Sequence, residues 1–146
     1  MAHRLSAEFE ALTARALDMT RPMLERFGGF FPFGLGVDRQ GALVSVPVCD
    51  DEDQPSGPLI EALRLSMRTA AVQRRFVASA VVYDATLSVR ETQRDFDVVA
   101  IELDDRHGRS IVSYVPYAGT GPDCAFGDAI VDPGEHEIFG DLPAAH

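Results

Sequence analysis

The chain opens with a stripe of apolar residues at helical spacing. Leu5, Phe9, Leu12, Ala16, Met19, Met23 and Phe27 recur every three or four positions, which places them along one side of a rod. The spacing predicts a helix over 6–27. Ser6 is placed to cap it, Glu8 lies in the first turn where the positive dipole end favours an anion, and Gly28-Gly29 closes it. Pro22 breaks the pattern, because a proline inside a helix removes one hydrogen bond and crowds the preceding turn. A kink there, or a stop at Met19 with a fresh turn capped by Thr20, is expected.

The period then shifts to two. Phe31, Phe33, Leu35 and Val37 alternate with Pro32, Gly34 and Gly36; a polar turn, Asp38-Arg39-Gln40-Gly41, leads into a returning strand from Ala42 to Val48. One face of the first strand is bulky and the other nearly bare, so another element is expected to approach the bare face closely. Beyond a polar loop, Cys49 to Gly57, a second helix runs from Pro58 to about Arg75 on a stripe of Leu59, Leu63, Met67 and Ala70. Arg74 and Arg75 fall in its last turn, where cations suit the negative dipole end. Three strands with short polar connections follow: Phe76 to Val89, Phe96 to Asp104 and Arg109 to Tyr117.

The order α-ββ-α-βββ predicts an α+β domain over residues 1–117, built on a five-stranded antiparallel sheet with two main helices. Residues 118–146 differ in kind. They are rich in Gly and Pro, hold no Arg, and carry six acids: Asp123, Asp128, Asp132, Glu135, Glu137 and Asp141. They read as an irregular acidic C-terminal segment, docked on the domain through the apolar hooks Phe126, Ile130-Val131 and Ile138-Phe139.

Several short motifs recur as a set: Phe31-Pro32-Phe33-Gly34, Val82-Tyr83-Asp84, Ile101-Glu102-Leu103, Asp105-Arg106-His107-Gly108, Tyr114-Val115-Pro116-Tyr117 and Phe126-Gly127-Asp128. Over roughly residues 30 to 139 the chain resembles a family of small uncharacterised bacterial proteins with no established activity. Its element order is similar to that of the roadblock and profilin-like folds. The resemblance implies a single bacterial domain and assigns no catalytic residue; a shared topology carries no function by itself.

Charge narrows the choice of partner. Against 23 Asp and Glu stand 13 basic residues, all of them Arg, for a net charge of −10. An acid excess repels phosphate, so neither nucleic acid nor an anionic membrane is expected as the main partner. Without lysine there is no Schiff-base chemistry and no phosphate loop ending in Gly-Lys. The longest apolar-rich run, Phe76 to Tyr83, falls far short of the ~20 residues that span a bilayer. Met1 to Ser6 lack the apolar core of a leader, and a cytoplasmic protein is expected. Cys49 and Cys124 are far apart and no CxxC or Cys/His zinc spacing is present, so neither a disulfide framework nor a metal or other cofactor is expected.

Candidate chemistry is sparse. Asp50-Asp51-Glu52-Asp53 offers oxygen ligands for Ca²⁺ but lacks the alternation and glycine of a calcium loop, and reads as a solvated connection. In Glu135-His136-Glu137 an extended backbone would turn the imidazole away from both carboxylates, and no HExxH is present. A nucleophile pair of Cys49 or Cys124 with His107 or His136 needs a proximity that the spacing does not supply. The glycines form no GxGxxG, and Phe30, Phe31 and Phe33 read as core. Tyr83 points opposite to Asp84, while Asp84 and Glu102 are expected on one side of neighbouring strands.

Two functional expectations result. The first is a non-enzymatic interaction domain that meets a protein partner or a second copy, motivated by the small-residue face (Gly34, Gly36, Ala78, Ala80, Val82, Ala100) and by the charge beyond Ala118. An acidic neutraliser of a basic protein, in the manner of an immunity protein, is its specific version. The second is a small enzyme or ligand-binding module, with Asp84, Glu102, His107 or Tyr114 around a pocket between the sheet and the first helix.

Overall fold

The computed structural model describes residues 5–46, 56–119 and 121–140. Helix α1, Ala7–Phe27, runs unbroken through Pro22. Its first turn is capped as expected, with the Ser6 hydroxyl accepting the Phe9 N–H at 3.2 Å, and Gly28 closes it in the left-handed conformation. The expected stop at Met19 does not occur. Thr20 caps nothing: it is fully buried and its hydroxyl donates to Leu17 O at 3.3 Å. Buried Thr20 and Leu24 seat the segment on either side of Pro22, and packing of that kind outweighs the loss of one backbone bond.

The sheet begins with a hairpin, β1 (Phe33–Asp38) and β2 (Leu43–Val46). Its turn is fixed by Asp38, whose Oδ1 accepts the N–H groups of Gln40 and Ala42, both at 2.9 Å. Helix α2 covers Ser56–Val72, and the meander follows as β3 (Phe76–Val89), β4 (Arg94–Asp105) and β5 (Ser110–Ala118). Two short strands then appear where an irregular segment is expected: β6 (Ala125–Phe126) and β7 (Ile130–Pro133). Both lie along the outer edge of β5, so the antiparallel path is β2-β1-β3-β4-β5 with seven strands in all. The five-strand expectation is corrected. An unpaired edge of β5 would leave its N–H and C=O groups without partners, and the chain beyond residue 118 supplies them.

Helices cover both faces. Phe9, Leu12, Ala16 and Leu24 of α1 pack on Leu35, Ala80, Val82, Val99, Ile101 and Leu103. Leu63, Met67, Ala70 and Ala71 of α2 pack on Phe76 and Val81 of the opposite face. Two-sided cover explains why β4 is buried continuously from Val98 to Asp105, where a one-sided strand would alternate. The bare face of β1 is what α2 needs. A Cβ at Gly34 would sit 3.0 Å from Met67 Sδ, and one at Gly36 would sit 2.5 Å from the Phe76 ring.

The tail docks unevenly. Ile138 and Phe139 are buried in the α2-side cluster, and Phe126 lies half-buried under the Arg21 guanidinium, 4.6 Å from its ring centre. Ile130 and Val131 are 41% and 43% exposed, so this expected hook holds nothing down. At the far end, β3 and β4 outrun their neighbours. β1 reaches only Val82 and β5 only Val98, so Thr86–Val89 and Arg94–Asp97 pair with one another alone.

Gly36→Ala is expected to lower the free energy of unfolding by roughly 1–3 kcal/mol, the usual cost of overpacking a core. In a Phe76→Leu background the same change is expected to cost much less, and a double-mutant cycle on denaturant midpoints measures the difference.

Candidate functional site

The residues singled out in the sequence do not converge. Asp84 lies on the α1 face, where its Oδ1 accepts the Tyr117 hydroxyl at 2.7 Å. Burial raises the Asp84 carboxyl above its ordinary range, with the Tyr117 hydrogen bond opposing. Burial also raises the Tyr117 phenol, and Asp84 adds to it. Glu102 lies on the α2 face, because β3–β4 register sets it opposite Val81 and sets Asp84 opposite Val99. The expectation that these two carboxylates share a side is therefore corrected: strand parity puts the sheet between them. His107 sits in the exposed turn after β4, its N–H bonded to Asp105 Oδ1 at 2.9 Å. Tyr114 is half-buried on the α2 face, across Ala100 from Tyr83. Of the four, only Glu102 lines either cavity found among the described residues, and it does so on the α2 face.

Glu102 meets partners that the sequence does not announce. Arg64 Nε of α2 donates to its Oε1 at 3.0 Å and Arg64 Nη2 to its Oε2 at 2.5 Å, while the Tyr83 hydroxyl donates to Oε2 at 2.7 Å. Arg64 also pairs with Glu61, one turn earlier on the same helix. Hydrogen bonding to Glu102 raises the Arg64 guanidinium, and burial followed by the Glu102 charge raises the Tyr83 phenol. Both groups are thereby held in their ordinary protonation states. A carboxylate engaged by a bidentate guanidinium and a phenol has three of its roughly four lone-pair positions occupied, and it fastens α2 to the sheet.

Beside this network is a cavity of about 30 Å³, lined by Arg64, Glu102, Asp104, Ser110, Gly134 and Glu137 among others. It has room for a water or two and for no substrate. Asp104 is only 3% exposed there. Burial pushes its carboxyl up to about 6; the charges of Glu102 and Glu137 add to the rise, while the Ser110 hydroxyl and His136 oppose it. The Ser110 hydroxyl also accepts the His136 N–H at 3.0 Å, which ties the tail to β5. Glu137 pairs with Arg68 at 3.3 Å, and His136 takes a left-handed backbone, so Glu135-His136-Glu137 forms a turn. Among the described residues no group of three metal-ligating side chains comes together. Cys124 is buried against the α1-side core, whereas Cys49 and the Asp50–Asp53 run lie outside the described residues.

The larger opening is elsewhere. A cleft of about 370 Å³ lies between the β1–β2 hairpin and the connection from α2 to β3, lined by Asp38, Arg39, Gln40, Val44, Arg74, Arg75 and Phe76. The three arginines are exposed, and among the described residues they form no salt bridge. Arg74 and Arg75 lie past α2, not in its last turn. Arg74 N–H bonds Ala71 O and Arg75 N–H bonds Ala70 O, both at 2.9 Å, with Arg74 left-handed at φ 57°. That is a Schellman closure, in which the left-handed position usually belongs to glycine. Nothing in the hydropathy pattern marks this cleft. The Arg74-Arg75 pair after a helix and Arg39 in a facing turn were its only signal.

Comparison of the chain with protein-family models, with curated proteins and with solved structures found no match.

Two outcomes are expected of the site residues. An acid raised from 3.8 to about 6 in the fold holds its proton more tightly there than in the unfolded chain, so stability falls as pH climbs through that window and the full penalty applies above it. The displacement corresponds to roughly 3 kcal/mol at most. Asp104→Asn is expected to raise the unfolding free energy at pH 8 by about 1–3 kcal/mol, and to flatten its pH dependence between 4 and 6. Denaturant melts across pH check both. Arg74→Gly relieves a left-handed L-residue, and is expected to stabilise the fold by about 1 kcal/mol in the same assay.

Proposed function

We propose that the protein is a non-enzymatic interaction domain that meets another polypeptide along an edge of its sheet. Support comes from one observation: both outer strands present apolar side chains to solvent. Val44 of β2 is 37% exposed, and Ile130 and Val131 of β7 are 41% and 43% exposed. Neither strand has a second neighbour among the described residues. Edge strands ordinarily carry charge or proline as a guard; β7 carries both in Asp132 and Pro133, whereas Leu43-Val44-Ser45-Val46 of β2 carries neither. The Glu102 network, with every partner engaged, reads as a structural fastening under this proposal.

A lysine-free chain gives amine-reactive cross-linkers almost nothing to act on, so the test uses a photo-reactive amino acid placed singly at Val44, Val131 or, as control, the exposed Leu65 of α2. In source cells, adducts are expected from Val44 or Val131 and not from Leu65. Equal yields from all three, or none from the two edge positions, would overturn the proposal.

A further inference from the structure

The two open edges complement each other, and we infer that β7 of one copy adds to β2 of the next, with Asp132 entering the arginine cleft. The inference rests on the edge-interaction reading above and names its partner. Four features of the fold carry it.

The first is direction. Every adjacent pair from β2 through β1, β3, β4 and β5 to β7 is antiparallel, so β2 and β7 run in opposite senses at the two ends of the sheet. A second copy displaced along the sheet therefore brings its β7 antiparallel to β2, with its α2 face on the same side.

The second is the supply of backbone groups. Asp38 N–H bonds Ala42 O in the hairpin, and bonded pairs alternate along an antiparallel ladder, so Leu43 and Ser45 turn their N–H and C=O outward. On the other edge Gly134 N–H bonds Ser110 O, and the same alternation turns Val131 and Pro133 outward. Pro133 offers its C=O alone, so its missing N–H costs the fold no ladder bond and leaves the pair with Leu43 of the other copy a single bond, from Leu43 N–H to Pro133 O.

The third is side-chain register. Setting Ser45 opposite Val131 of the second copy sets Val46 opposite Ile130 and Val44 opposite Asp132. Val46 and Val44 lie on the α2 face, opposite Gly34 and Gly36; Ile130 and Asp132 lie on that face too, opposite Tyr114 and Val112. Apolar meets apolar, and the one carboxylate of β7 lands beside Val44, a wall of the cleft.

The fourth is charge. The cleft gathers Arg39, Arg74 and Arg75 in a chain of net charge −10, and its single carboxylate, Asp38, is taken by turn N–H groups. The β7 edge carries Asp128 and Asp132, both exposed, with no Arg beyond Ala118. Joining unlike edges is a heterologous contact, and it propagates unless the rotation closes a ring.

Sedimentation velocity on the full chain over a concentration series tests this. The wild type is expected to associate with rising concentration. Arg39→Glu/Arg75→Glu and, separately, Asp132→Arg are each expected to weaken association at least tenfold. An equimolar mixture of those two variants is expected to restore it, since each then offers the charge that the other lacks. Ser45→Pro removes only an outward N–H, and is expected to abolish association while far-ultraviolet circular dichroism and the melting temperature hold. A wild type that stays monomeric throughout, charge variants that associate like the wild type, or a mixture that fails to recover would each overturn the inference. If a monomeric wild type still yields cross-links to a different protein from Val44 or Val131, self-pairing falls and the interaction reading stands.

Discussion

The architecture depends on a steric vacancy. Strand β1 shows bulk to one helix and almost no side chain to the other, and only such a strand can sit beneath both. Met67 occupies the space over Gly34, and the Phe76 ring lies across Gly36. Fill the first and Met67 of α2 must give; fill the second and the Phe76 ring must move, and both side chains belong to the second core cluster. Close packing of this kind is bistable in volume: a methyl group that does not fit is felt through the whole contact.

Hydropathy made the skeleton legible for the same reason. Phe9, Leu12 and Ala16 at helical spacing found the face of α1, although the stripe passes over buried Leu24 and ends on Phe27, which is 73% exposed; alternation of glycine with large residues in β1 foretold a close neighbour. Burial on both faces, which sets Val81 and Val82 equally deep, shows as an apolar run without alternation. What stayed hidden was made by partners distant in sequence. Ile130-Val131-Asp132-Pro133 has no period to recognise and becomes a strand because β5 has an edge to satisfy. Arg64 and Glu102 lie 38 positions apart, and periodicity assigns faces but not partners. Asp84 and Glu102 were misplaced together because register, unlike period, is not written in either strand alone.

Arginine is put to two uses in this chain. Arg64 and Arg68 reach carboxylates and hold elements together, as the planar guanidinium does best when two donors meet two acceptors. Arg39, Arg74 and Arg75 are spread around an apolar floor whose one carboxylate, Asp38, is engaged by the turn N–H groups. The left-handed backbone at Arg74 is the same division in miniature: glycine would close the helix with less strain, and the chain carries a charge there instead.

The overlong β3–β4 hairpin has a consequence for how the molecule moves. Past Thr86 and Asp97 each strand has one neighbour rather than two, so the ladder there lacks the lateral support that the central strands give each other. Such a tongue frays on its own, by breaking a few bonds at a fraction of the global free energy, while the double-clad middle opens only with the whole domain. Its amides are therefore expected to exchange with solvent in a separate, faster class, and the exposed turn at Gln93, which already bends through a left-handed residue, is open to a protease.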